Sequence, residues 1–471
     1  MSRDQRKQYI SSLLRSWKLE IPSKQTEFFE AFLDEAEIES SYNQITASAK
    51  FIMENWKERS LIEDIRTRLI QLPNATVGKP YSYTFSLAKM GLQDIAYFEL
   101  AQFERIGLTY DKETHTLSGA PTEKGEHKLI FRYRLAISDE AKPLNEKEIL
   151  FVVNPDPKSL WKDLPSDKDD QFYKEDTATG SMEMLGRKLV AASKRGRSHA
   201  HEGKFRDDDF DFAFFEDNGF GVIVVADGAG SAKFSRKGSQ IACETTVEYF
   251  RTQITPEEYK SFDETVINFH AEKNETNTKA LNDFLTGKFG KAPFAAHKKI
   301  QTFAEMQGAA LKDFSTTLIC CLVKKYEFGW CVISFGVGDG GAGIYMRDKK
   351  EALLLTTPDG GEFAGQTRFL TMPDIFNPEV FYKRISFKLV DDLTALILMT
   401  DGVTDPKFQT DANLARIEKW DELWDDLNGK NPDGAAAGFD KAPEETEKGL
   451  LAWLDFWSPG NHDDRTIAIL H

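Results

Sequence analysis

Apolar positions in the first 70 residues fall in stripes between charged ones. Leu13, Leu14 and Trp17, then Phe28, Phe29, Phe32 and Leu33, are spaced as on helices with one buried face. From Leu72 the texture changes to short alternating runs, Tyr81-Ser82-Tyr83-Thr84-Phe85-Ser86-Leu87, Lys128-Leu129-Ile130-Phe131-Arg132-Tyr133-Arg134-Leu135 and Ile149-Leu150-Phe151-Val152-Val153. These are strand signals, punctuated by Pro73, Gly78, Pro80, Gly119, Pro121 and Gly125. The pattern then fades. Pro155-Asp156-Pro157 and Asp167-Lys168-Asp169-Asp170 offer little apolar area to bury and read as a linker. Apolar runs resume near Leu185, with helical runs between residues 251 and 311 that belong on outer layers. The expected organisation is a helical segment over 1–70, a β module over 71–154, a linker over 155–184 and a larger domain over 185–471.

Composition narrows the classes open to such a chain. With 471 residues and 41% hydrophobic content it can fill real cores, so it is not a disordered protein. A formal net charge of -16 argues against a nucleic-acid-binding surface, because phosphate backbones attract basic patches. Cys243, Cys320, Cys321 and Cys331 form no Cys-x-x-Cys pair, and three of them sit in apolar runs, so neither a zinc site nor a disulfide framework is expected. The start, Met1-Ser2-Arg3-Asp4-Gln5-Arg6-Lys7, lacks the apolar core of a signal peptide, and no run is long enough to cross a bilayer. The expected location is the cytoplasm.

The candidate chemistry lies in aspartates that close short apolar runs. They read Arg206-Asp207-Asp208-Asp209, Val224-Val225-Ala226-Asp227-Gly228, Phe335-Gly336-Val337-Gly338-Asp339-Gly340, Leu398-Met399-Thr400-Asp401-Gly402 and His462-Asp463-Asp464-Arg465-Thr466. A strand that stops on an aspartate, with a glycine allowing a sharp turn, sets a carboxylate at the rim of a sheet. Asp-Gly is also an ordinary turn dipeptide. Several rims meeting at one point make an oxygen-rich cage, which suits hard divalent cations such as Mg²⁺ and Mn²⁺.

In their order these motifs resemble the metal-dependent protein phosphatases, the PPM or type 2C serine/threonine family, in its bacterial branch. The matching stretches are Asp207-Asp208, Ala226-Asp227-Gly228-Ala229-Gly230, Ser315-Thr316-Thr317, Gly338-Asp339-Gly340, Thr400-Asp401-Gly402-Val403-Thr404-Asp405 and Asp463-Asp464-Arg465-Thr466. The resemblance implies an α+β fold, a four-layer α-β-β-α sandwich. It also implies two core Mn²⁺ or Mg²⁺ ions, with a third in many bacterial members. By that resemblance Asp227 bridges both core ions and the Gly228 carbonyl helps bind one. Asp401 and Asp463 complete the second ion's shell, one or both of Asp207 and Asp208 act directly or through bound water, and Asp339 joins Asp401 at a third ion. Separately, Gly107-Leu108-Thr109-Tyr110-Asp111 with Leu117-Ser118-Gly119-Ala120-Pro121-Thr122 resembles bacterial immunoglobulin-like modules, which implies a small sandwich with a scaffold or protein-binding role.

The chain also departs from the pattern. Where the family often has a phosphate-gripping arginine this chain has Gly203, leaving His199, His201, Lys204 or Arg206 to capture phosphate. Gly196-Arg197-Ser198-His199 matches a family branch with a Gly-x-Ser-His motif, and two readings of His199 stand open: a general acid for the leaving oxygen, or a histidine that only hydrogen-bonds in place. Gly340 and Gly341 replace Ser-Arg after Asp339 and are expected to loosen that loop. Residues 359–370 fall where the family carries a flap, or form a plain surface loop. No Gly-x-Ser-x-Gly elbow and no Cys-x5-Arg loop is present. The expected function is hydrolysis of phosphoserine and phosphothreonine in a phosphorylated protein substrate, with a protein partner engaged through the N-terminal region. The alternative is an inactive phosphatase-fold platform.

Overall fold

The computed structural model describes residues 2–359 and 367–471, and the chain divides into two compact units, Met1–Leu160 and Trp161–His471. The first unit opens with three helices, α1 (Arg3–Ser16), α2 (Thr26–Leu33) and α3 (Ala36–Thr67). Ser2 caps α1 in a reciprocal box with Gln5, and Ile10, Phe29, Leu33 and Tyr42 make a small core of their own. Seven strands follow: β1 (Ala75–Thr76), β2 (Tyr81–Thr84), β3 (Ile95–Ala101), β4 (Leu108–Asp111), β5 (Thr116–Gly119), β6 (Gly125–Leu135) and β7 (Asn145–Asn154). They form a four-stranded sheet in the order β1-β7-β6-β3 and a three-stranded sheet in the order β2-β5-β4. The alternation read from β6 holds, since Leu129, Phe131, Tyr133 and Leu135 point into the sandwich core and their neighbours do not.

The second unit contains β8 (Thr177–Met184), β9 (Arg187–Lys194), α4 (Arg197–Glu202), β10 (Asp209–Phe215), β11 (Phe220–Ala226), α5 (Ser235–Thr252), α6 (Pro256–Ala271), α7 (Glu275–Phe284) and α8 (Lys291–Met306). It continues with β12 (Leu318–Tyr326), β13 (Gly329–Val337), β14 (Gly341–Met346), β15 (Glu351–Leu354), α9 (Pro378–Phe381), β16 (Ile385–Val390), β17 (Ala395–Met399), α10 (Asp401–Phe408), α11 (Ile417–Leu427), α12 (Pro443–Trp453) and β18 (Arg465–Leu470). A five-stranded sheet runs β10-β11-β12-β13-β16 and a six-stranded sheet runs β15-β14-β17-β18-β9-β8.

Three apolar layers hold these sheets and helices in a four-layer α-β-β-α sandwich. One, with Val222, Val224, Phe250, Phe262 and Ile300, joins the five-stranded sheet to α5–α8. A second, with Ile223, Val225, Val332, Leu398 and Ala468, lies between the sheets, and a third, with Ile397, Trp420, Trp453 and Ile469, joins the six-stranded sheet to α11 and α12. Strands such as β11 and β17 are buried on both faces, and for that reason their sequences are unbroken apolar runs, while β13, equally buried, is interrupted only by Ser334, whose hydroxyl donates to the Leu355 carbonyl. Cys243, Cys320, Cys321 and Cys331 are all free and buried. No described helix is long and apolar enough to cross a membrane.

The segment read as a linker differs most from expectation. Thr177–Met184 is β8, the edge strand of the six-stranded sheet, in register with β9 from Thr177↔Lys194 to Met184↔Arg187. Ahead of it Phe172 packs against Phe234 and Phe314, and Arg236 reaches Asp170 at 2.6 Å. Polar composition concealed this packing, because three scattered aromatic rings, Trp161, Phe172 and Tyr173, and a few ion pairs do the anchoring.

Candidate metal centre

Antiparallel pairing brings the predicted acids to one end of the sandwich. At that end β9, β11, β13 and β17 stop while β10, β12, β14 and β18 begin, as the pairs Lys194↔Arg465, Ala226↔Asp209, Val337↔Leu318 and Met399↔Gly341 show. Asp227 leaves β11, Asp339 bridges β13 to β14, Asp401 opens α10, Asp207 and Asp208 precede β10, and Asp463 precedes β18. Asp227, Asp339 and Asp401 each present an oxygen within 4.8 Å of the others, and a ring nitrogen of His199 lies equally close to oxygens of Asp463 and Asp464.

Backbone and hydroxyl groups fix these carboxylates from below. Thr317 is the main support of the Asp227 turn: its Oγ1 accepts the Asp227 N–H at 2.8 Å and its own N–H donates to the Asp227 carbonyl at 2.8 Å. The Thr400 hydroxyl donates to Asp208 Oδ2 at 2.8 Å, and it accepts the Thr466 N–H at 3.0 Å. Gly228 packs so tightly that a Cβ there would lie 2.5 Å from the Asp207 carbonyl oxygen, which ties the two acidic motifs together. Gly340 is equally constrained, since a Cβ would fall 2.5 Å from the Met399 carbonyl oxygen. Gly340 is thus required by close packing and Gly341 is paired with Met399 at the start of β14, where a loosened loop was expected.

Electrostatically the cluster is one of repelling acids. Burial first, then the neighbouring acids Asp401, Asp208 and Asp463, push Asp227 well above the ordinary carboxylate range. Asp401 moves the same way through burial and Asp463, Asp339 and Asp208. Burial and Asp464 raise Asp207 to about 6 and Asp208 to about 7. Asp464 behaves oppositely. Burial works against its charge, but His199 Nδ1 at 3.1 Å and the N–H groups of Gly196 at 2.6 Å and Asp207 at 2.5 Å outweigh that and hold it below the usual value. In return, Asp464, Asp207 and Asp463 overcome the burial of His199 and raise it to about 9. Its Nε2 faces Asp207 Oδ2 at 4.0 Å.

The cations named from sequence separate. Arg206 is committed to structure: its Nη1 donates to Ser193 Oγ at 2.7 Å and to the Asp208 carbonyl at 2.6 Å, and its Nε to the Glu175 carbonyl. Lys204 pairs with Glu202, and His201 Nδ1 accepts the Lys162 N–H while its ring packs edge-on against Trp161. Only His199 of the four faces the acids. The residues at 360–366, within the expected flap, lie outside the described residues.

Sequence reasoning missed several supporting groups. Lys174 is buried under the acidic pair, donating to the Asp208 carbonyl at 2.9 Å and pairing with Asp209 at 2.9 Å. Asp359 Oδ2 accepts the Gly338 N–H at 2.9 Å and is held by Arg384 at 2.6 Å, bracing the Asp339 turn, to which Thr367 also donates. Asp464 was quoted only as part of a motif, although the doubled acid was the visible signal. Lys174 gave none, being one lysine among many in a polar stretch.

Residues 195–439 match the family model for protein phosphatase 2C, about half of the chain, and the chain belongs to that family. Similar solved structures include the serine/threonine phosphatase Stp1 from Staphylococcus aureus, at 14% identity and a TM-score of 0.36, covering 62% of this chain and 98% of that one. The S. agalactiae serine/threonine phosphatase is 14% identical with a TM-score of 0.37, covering 63% and 99%. PppA, described as a key regulatory component of T6SS in Pseudomonas aeruginosa, is 14% identical with a TM-score of 0.34, covering 62% and 99%. No curated protein matches the chain significantly.

The acids fit divalent cations on their own evidence. Oδ1 of Asp208, of Asp339 and of Asp401 are each buried without a hydrogen-bond partner among the described residues. A buried carboxylate oxygen with no donor is costly unless a cation or a proton answers it. Three such oxygens in one cluster match the all-oxygen donor set of Mg²⁺ or Mn²⁺.

Proposed function

We propose that the protein is a Mn²⁺- or Mg²⁺-dependent phosphatase of phosphoserine and phosphothreonine in proteins. The observation that carries this reading is the convergence of Asp208, Asp227, Asp339 and Asp401, with buried oxygens left without donors. Asp207, Asp208, Asp227, the Gly228 carbonyl, Asp339, Asp401 and Asp463 would hold the ions, with Asp227 central because Asp208 and Asp401 flank it. Two ions so held would supply the positive charge that neutralises a phosphomonoester and activates water.

The chain's own groups do the rest. Thr317 and Thr400 orient the central carboxylates, so the donor set stands ready before any ligand arrives. His199, kept protonated at neutral pH by Asp464, presents Nε2 toward the Asp207 side of the site and donates its proton to the leaving serine or threonine oxygen. As the one cation of the sequence-named set facing the acids, it also draws the phosphate where Gly203 stands in the place of arginine. A binding platform has no use for buried acids that repel one another.

Hydrolysis of p-nitrophenyl phosphate and of a phosphothreonine peptide tests the proposal. Turnover is expected only with added Mn²⁺ or Mg²⁺, and Asp227→Asn should abolish it while circular dichroism stays unchanged. Full turnover in a chelated assay, or none with metal present, would overturn it.

A further inference from the structure

The middle of α3 is exposed where a bridging helix should be polar. Its N-terminal part packs through Tyr42 and Ile38 into the small core with α1 and α2, and its C-terminal part packs through Leu61, Ile62 and Ile65 into the sandwich core. A span that only bridges two packed ends through water is expected to be charged on all sides. Instead Ile45 is 39% exposed, Ile52 66%, Met53 65% and Trp56 72%.

Their spacing is ordered. Ile38, Tyr42, Ile45, Ala49, Ile52 and Trp56 alternate steps of four and three residues, the seam of a coiled coil. The seam begins inside the unit's own packing, where α1 and α2 cover Ile38 and Tyr42, and then runs on uncovered from Ile45 to Trp56, about three turns. Along the uncovered stretch the flanking positions are neutral: Ser48 and Asn55 on one side, Thr46 and Met53 on the other. Charges at such positions normally choose between unlike partners. A neutral border selects none, and it lets two copies of a chain carrying a net charge of -16 approach without local repulsion.

We infer that the uncovered seam of α3 is a self-association surface, on which the same stretch of a second copy of this chain packs. Two three-turn helices bury an area at the small end of specific interfaces, so association is expected in the micromolar range.

Sedimentation velocity of the full chain from about 1 to 100 μM reads this directly. The wild type should shift from monomer toward dimer, and Ile52→Glu with Trp56→Glu should leave monomer throughout, with an unchanged circular dichroism spectrum because both side chains are exposed. Met306→Glu, an equally exposed apolar position in the other unit at 77%, should leave the dimer intact. A wild type that stays monomeric at 100 μM would overturn the inference. A dimer that survives the double substitution would do so equally, since self-association would then lie elsewhere.

Discussion

At the scale of single residues, the pair His199–Asp464 shows how a site sets its own protonation. Three donors hold Asp464 ionised, and its charge keeps the imidazole protonated near physiological pH. Replacing Asp464 by Asn should therefore bring His199 down from about 9 toward its ordinary value, which proton NMR titration of the metal-free protein can follow. His199→Ala should cut turnover of a phosphothreonine peptide by about 100-fold and that of an activated aryl phosphate far less, because only the peptide's leaving oxygen needs the proton. Equal losses on both would leave His199 a structural histidine. Lys174 makes a different case: its ammonium is buried and burial pulls it below the ordinary lysine value, yet Asp209 and two carbonyls keep it in place. Lys174→Met leaves Asp209 with Arg206 at 3.9 Å in place of the lysine at 2.9 Å and should cost about 3 kcal/mol in urea unfolding.

At the scale of elements, the stretch from Trp161 to Met184 is part of the second unit's fold. It supplies Phe172 to the core, Lys174 to the acidic pair and β8 to the sheet edge. A fragment beginning at Gly180 cuts β8 and loses Lys174 and Asp170, so it should be insoluble or unfolded. One beginning at Trp161 should unfold cooperatively and bind Mn²⁺ with the affinity of the full chain. Equal solubility and equal Mn²⁺ binding of the two fragments would contradict the role given to this stretch. A terminal strand is easily misjudged from composition, because β8 exposes much of its length and carries few apolar residues.

At the scale of the whole molecule, the acid cluster couples folding to pH and, on the proposed function, to metal. Asp207 and Asp208 titrate higher in the folded chain than when unfolded, so the stability they confer as neutral groups is complete below about pH 4 and is lost as pH rises through about 6 and 7. Melting temperature of metal-free protein should thus fall between pH 5 and 8, and less steeply in Asp208→Asn. Saturating Mn²⁺ should reverse the fall, raising stability by about 2.7 kcal/mol at a hundredfold excess over the dissociation constant. Metal-free and metal-loaded protein with the same pH profile would show that the cluster holds no ion.

Much of this was legible in the linear chain. A strand buried on both faces must be continuously apolar, and a carboxylate at its end must lie at a rim, so the acid-ended strands could be read from residues 207 to 466, while the layered α+β fold came from the family resemblance that the order of those aspartates carries. The helical and alternating textures of the first 154 residues were likewise local properties of spacing. What the sequence could not show was decided by contacts between distant residues: that the polar stretch before Gly180 is packed and paired, that Gly340 is held by the Met399 carbonyl, that Arg206 is spent on structure, and that Asp464 governs His199. Periodicity reports which face of an element is buried. Which partner meets that face, and what charge a buried acid carries, depend on the three-dimensional field of neighbours that only folding assembles.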